Sequence, residues 1–279
     1  LASNNIVLQE WIGRSWEAED IVTPRVIASF EATLGAHAAR LDETPPGLHW
    51  CLTPDIADAR ELGPDGHPAK GGFLPPVPLP RRMWAGSDVR FLAPIRPGDA
   101  IRRRSMVRAI EEKQGRSGRL AFVTVRHEIA NAAGPVVEED QIIVYREPET
   151  GAPQAPAQPA GPRSATSHER TVDVDPVLLF RYSALTFNGH RIHYDAPYAT
   201  GVEHYPGLVI HAPLQATLLM NFAAVVAGLA PRQFSFRGVR PAIGPQTLLL
   251  SGTARGKGEM EMEVRSSDGQ VTVKATVRW

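Results

Sequence analysis

Residues 208–227 read LVIHAPLQATLLMNFAAVVA, apolar on nearly every face of a helix. Such a helix cannot lie on a surface; it must be enclosed. The run LLMNFAAVVAGLA is too short and too interrupted to span a membrane. What encloses the helix is written downstream. MEMEV and VTVKATV alternate with period two, as half-buried antiparallel strands do. SSDG between them carries Asp268-Gly269, a hairpin turn signal. The second half of the chain therefore predicts one buried helix wrapped by a curved antiparallel sheet, an α+β arrangement.

The first half repeats this plan. Thr23 is an N-cap with Pro24 at the first helical position. Val26, Ile27, Phe30 and Leu34 recur at helical spacing, and Gly35 ends the run. Strand-like segments follow, VRFLAPIRPGDAIRRRSMVRAI, LAFVTVRHEIAN and VVEEDQIIVYRE. Between the halves, EPETGAPQAPAQPAGPRSATSHER alternates Pro, Ala and Gly with few large apolar groups and cannot build a core. We read 1–147 as one unit, 148–170 as a linker and 171–279 as a second unit. A further Gly/Pro-rich stretch, GPDGHPAKGGFLPPVPLPRRMW at 63–84, carries enough apolar residues to predict an ordered binding loop rather than a disordered insertion.

Thirty basic and thirty acidic side chains balance. Without a basic stripe, nucleic acid and anionic membrane surfaces are poor partners. Cys51 is the only cysteine, so an intrachain disulfide and a cysteine zinc cluster are excluded, in keeping with a cytoplasmic location. The first twenty residues do not read as a signal peptide.

Proton-handling groups crowd into FNGHRIHYD at 187–195. Three readings compete. A zinc site needs three or four convergent ligands, which His190, His193 and Asp195 would supply; Gly189 and Pro197, however, argue for an irregular segment rather than the helix that paired histidines want. A polar turn is the bland alternative, and lone histidines in turns are more often surface groups. An acid–base site needs one imidazole near its working pH, an amide to hold water, and backbone N–H groups at a helix start for a developing oxyanion. Asn188, His193 and the helix start at His211 and Ala212, preceded by Gly207, provide these in order.

RYSALTFNGHRIHYDAPYA followed by PGLVIHAPLQATLL resembles the MaoC-like (R)-specific enoyl-thioester hydratases, a branch of the hot-dog fold. By this resemblance the family's catalytic aspartate falls on Asn188, its asparagine on His190, its proline on Arg191 and its catalytic histidine on His193. Asp195, Ala199 and Gly207 match, and the family's His-Gly becomes His211-Ala212. The form FN-small-HRIHYD, with GGFLPPVPLPRRMWAGSDVRF, is similar to one branch: the 3-hydroxyacyl-thioester dehydratases of mitochondrial type and the hydratases of mesaconyl-C4-CoA (3-methylfumaryl-CoA) and itaconyl-CoA.

The resemblance implies a double hot-dog, with the motif in the second repeat only. It implies hydration of a 2-enoyl-CoA, or the reverse dehydration, by a hydro-lyase without metal or cofactor, CoA entering as part of the substrate. His193 is expected as general base and Asn188 as water holder, with His190 or Asp195 as a second proton carrier or an orienting group. A short dicarboxyl acyl group would want a cation; Arg191, Arg81 and Arg82 are the candidates. The alternatives are a dehydratase of fatty-acid synthesis and a non-catalytic acyl-thioester-binding protein, the latter favoured by the loss of the aspartate at 188. Two repeats in one chain can pair internally, and a homodimer is compatible with this.

Overall fold

A computed structural model describes residues 7–115, 118–147 and 167–279. The first half contributes β1 (Ser15–Ile21), α1 (Pro24–Leu34), β2 (Arg81–Phe91), β3 (Ala100–Gly115), β4 (Gly118–Asn131) and β5 (Gly134–Arg146). The second contributes β6 (Ser167–Val174), α2 (Pro176–Leu185), α3 (Ala196–Gly201), β7 (Leu208–Ile210), α4 (Ala212–Ala227), β8 (Gln233–Gly238), β9 (Ala242–Gly244), β10 (Gln246–Ala254), β11 (Glu259–Arg265) and β12 (Val271–Arg278).

Ten strands form one antiparallel sheet in the order β1-β3-β4-β5-β2-β8-β12-β11-β10-β6. The halves join edge to edge where β2 meets β8, from Gly86 opposite Arg237 to Arg90 opposite Gln233. Most of the linker, residues 148–166, lies outside the described residues. Its last four positions do not behave as linker: β6 begins at Ser167 and pairs with β10 along its whole length.

The apolar run behaves as its composition demands, with one correction. Its first residues are not helical. Leu208–Ile210 form β7 against β9, and the helix starts only at Ala212, with Pro213 in its first turn. From Pro213 to Ala224 every residue of α4 is buried. In α1, the Thr23 hydroxyl accepts from the Val26 amide, and Gly35 takes a positive φ at the C-cap.

The two long helices are not equivalent. α4 packs on β12, β11, β8, β10 and β2, whereas α1 packs mainly against α2 and the short helical turn Leu48–Cys51. Phe30, Leu34 and Leu48 thereby join Leu214, Leu218 and Phe234 in one core shared by both halves. The stretch at 63–84 is ordered, and its last four residues already belong to β2. Val77 and Leu79 are buried with Leu8, Val107, Val123 and Tyr145, and the Lys70 ammonium donates to both of their carbonyls.

Candidate active site

A cavity of about 1410 Å³ opens between the halves. Its walls come from the 187–195 motif, from the first turn of α4, from the Gly/Pro-rich stretch and from the inward face of β3–β5.

The motif is held by local bonds. α2 ends at Leu185, and the Asn188 amide donates back to the Ser183 carbonyl at 2.8 Å. The Asn188 side-chain oxygen accepts from the His190 amide at 3.0 Å. A single helical turn, Arg191–His193, then aims His193 inward. Its Nδ1 lies 2.7 Å from the Val209 carbonyl. A carbonyl can only accept, so Nδ1 carries the proton and Nε2 keeps a free lone pair able to accept one. Burial pushes the His193 pKa down to about 3, so the ring is neutral and ready to accept a proton.

His211 stacks on His193 with ring centroids 3.5 Å apart, and its Nε2 lies 2.8 Å from the Ser183 hydroxyl. It therefore backs His193 rather than facing the cavity. Ala212 and Pro213 do line the cavity. As the first residue of α4, Ala212 has an amide with no intrahelical partner, which suits it to an oxyanion. Gly207 sits off the cavity wall, where a Cβ would press on Ile243 at 3.1 Å.

The structure parts Asp195 and two arginines from the cavity. One Asp195 oxygen caps α3 by accepting from the Tyr198 amide, and the other accepts from Arg191 at 2.8 and 2.9 Å. Those bonds hold its carboxyl below the usual range. Arg191 also donates to the Pro64 carbonyl and lies over the Tyr198 ring. Neither residue is placed to ligate beside His193. Arg81 pairs with Glu203 at 3.2 Å and stacks on Tyr205. Of the three proposed clamps only Arg82 lines the cavity, donating to the Pro68 carbonyl.

Two groups of residues were missed from sequence. The first is Asp65 and His67, brought to His190 by the Gly/Pro-rich stretch: the His67 and His190 ring centroids are 4.2 Å apart. One polar atom each from Asp65, His67 and His190 falls within 4.8 Å of the others. The second is a polar patch on β3–β5. Arg103, Ser105, His127, Glu139 and Gln141 line the cavity there. Ser105 bonds His127 at 2.8 Å, and His127 reaches Gln141 at 3.2 Å. Arg103 donates to the Thr53 carbonyl, while its buried Nε has no protein partner. Burial pushes the Glu139 carboxyl up to about 7, against hydrogen bonds from Ser87 and Trp50.

The profile of the type 2 hydroxyacyl-thioester dehydratases matches residues 47–244. A protein of Chloroflexus aurantiacus named mesaconyl-C(4)-CoA hydratase is 46% identical, covering 96% of each chain. The mitochondrial hydroxyacyl-thioester dehydratase type 2 of Schizosaccharomyces pombe is 26% identical, covering 83% of this chain and 88% of its own. Among solved structures, a MaoC-like dehydratase from Phytophthora capsici superposes with a TM-score of 0.71 at 14% identity, covering 100% of this chain and 98% of its own. A Mycobacterium tuberculosis protein described as a double hot-dog gives 0.60 at 14% identity, covering 95% of each chain. The architecture is thus the double hot-dog. No helix among the described residues is long and apolar enough to cross a membrane.

Proposed function

This chain belongs to the type 2 hydroxyacyl-thioester dehydratase family of hydro-lyases, and on that premise we propose that it adds water to a short, branched dicarboxyl enoyl-CoA of the mesaconyl-C4-CoA kind. Itaconyl-CoA belongs to the same chemical class. The observation that carries the choice is the polar face of β3–β5. An apolar acyl tail entering the first half would cover Arg103, Ser105, His127 and Gln141 with hydrocarbon, leaving the buried Nε of Arg103 without an acceptor and the remaining groups only the bonds they make within the patch and to the Thr53 carbonyl. A terminal carboxylate would give the unpartnered Nε of Arg103 an acceptor. The relative from Chloroflexus, named for mesaconyl-C4-CoA, supports the same class.

In the proposed reaction His193 Nε2 takes a proton from water that Asn188 holds. The water oxygen attacks the β-carbon, and the double-bond electrons move onto the thioester oxygen as an enolate. The Ala212 amide stabilises that charge; one such donor typically contributes about 3–4 kcal/mol. The acid–base group contributes about 10²–10⁴ in rate. Protonation at the α-carbon completes the addition, with no metal or cofactor called for and a cytoplasmic setting in keeping with a single buried thiol.

The test is a panel of enoyl-CoAs followed by loss of enoyl-thioester absorbance. Mesaconyl-C4-CoA should turn over faster than crotonyl-CoA, and Arg103→Gln should erase most of that preference by raising KM for the dicarboxyl substrate. Faster turnover of long-chain enoyl thioesters would favour fatty-acid dehydration instead. Binding without turnover of any member would favour an acyl-thioester-binding protein.

A further inference from the structure

Hydration needs two proton transfers, one from water to a base and one from an acid to the α-carbon, yet the position that resembles the family's aspartate holds Asn188, whose amide cannot serve in either. We propose that His67, oriented by Asp65, is the second proton carrier of this site. The inference rests on the assignment of His193 as base and adds residues from the other half of the chain.

The placement of this pair is built into the backbone. Gly66 and Gly189 cross so closely that a Cβ on either would collide with the carbonyl oxygen of the other. The Arg191 amide donates to the Asp65 carbonyl at 2.9 Å, and the Arg191 guanidinium donates to the Pro64 carbonyl at 3.0 Å. Residues 64–67 are thus fastened to the motif rather than resting near it.

The side chains then form a directed pair. Asp65 accepts from the His67 amide at 3.1 Å and from its Nδ1 at 3.0 Å. The ring is held in one orientation, with Nδ1–H toward the carboxylate and Nε2 left to exchange protons. This is the orienter-and-base logic by which a carboxylate fixes a tautomer and stabilises the imidazolium. His67 lines the cavity, and His190 stands between it and the base, its ring 5.4 Å from that of His193. Burial lowers the His67 pKa, while Asp65 opposes that shift; the same contact with His67, together with the charge of Arg82, keeps Asp65 ionised despite its burial.

The proton count closes. His193 breaks one O–H bond of water as the oxygen bonds the β-carbon. The proton passes by way of His190 to Nε2 of His67, which becomes imidazolium against Asp65. The enolate electron pair then forms the α-carbon–hydrogen bond with that proton. The thioester carbonyl is restored, and all three imidazoles end neutral.

The test compares mesaconyl-C4-CoA hydration by the wild-type chain and the variants His67→Ala, His67→Gln, Asp65→Asn and His193→Ala. The proposal expects both His67 variants to keep the wild-type melting temperature and KM while kcat falls about 100-fold or more. Added imidazole should restore part of the His67→Ala rate and none of the His67→Gln rate, where the side chain fills the space. Asp65→Asn should fall less and move the pH profile. Wild-type rates from folded His67 variants, with His193→Ala inactive, would overturn this proposal alone. An active His193→Ala would overturn the site assignment beneath it. Activity abolished by a chelator and restored by Zn²⁺ would overturn proton carriage in favour of a metal held by the same groups.

Discussion

His193 Nδ1 and the Val209 carbonyl oxygen are 2.7 Å apart, and that single bond fixes which end of the imidazole keeps a free lone pair. Val209 lies in β7, directly ahead of the helix start that lines the cavity. The proposed base and the proposed oxyanion donor are therefore set by the same short strand, so their spacing does not depend on a flexible loop.

The pH profile should carry the mark of that burial. An unperturbed imidazole base would lose activity as pH falls through about 6.5. Burial lowers the His193 pKa to about 3, so the neutral, active form persists well below that. We expect kcat/KM to show no His193 inflection between pH 6 and 7 and to fall only under more acidic conditions, about pH 4 and lower. Asn188→Asp, which brings a carboxylate into the cavity that His193 also lines, should move that limb upward. A wild-type limb at the ordinary histidine value that persists in Glu139→Gln, which removes the cavity carboxyl raised to about 7, would contradict the assignment of His193 as a buried base.

The glycine crossing predicts a backbone phenotype. Gly189→Ala cannot keep the close approach to the Gly66 carbonyl, so residues 64–67 must lift from the motif. Activity should drop as far as in the His67 variants, and hydrogen exchange should rise at 64–67 while α4 stays protected. An alanine variant with full activity and unchanged exchange would show that the contact does no work for the site.

Asn221 ties α4 to the first half. Its side chain accepts from the Ala39 amide at 2.9 Å and donates to the Pro46 carbonyl at 2.8 Å. Asn221→Ala leaves both groups buried and unpaired, at about 1–3 kcal/mol each. A loss of about 2–5 kcal/mol in denaturant unfolding is expected. A loss under about 0.5 kcal/mol, typical of a surface substitution, would mean that the two halves do not depend on this bridge.

The buried helix, the Asp268-Gly269 hairpin and the two-part plan were legible because each rests on local pattern. The same kind of signal went unread twice. Asp175-Pro176 opens α2 as Thr23-Pro24 opens α1, and Asp195 caps α3, which is why its carboxylate is occupied. His67 could not be tied to His190 from sequence, because they lie 123 positions apart and only the docked stretch joins them. The polar patch was hidden differently. Arg103, Ser105, His127, Glu139 and Gln141 alternate in phase with buried apolar neighbours such as Val107, Val125 and Ile143, so they read as ordinary members of amphipathic strands. That their face looks into a cavity follows from α1 packing against α2 and not over β3–β5.

The most direct measurement is the turnover of mesaconyl-C4-CoA by His193→Ala beside the wild-type chain, with folding checked by melting temperature. We expect an unchanged fold and a kcat lower by about 10²–10⁴. A folded His193→Ala variant that hydrates at the wild-type rate would contradict the account at its centre.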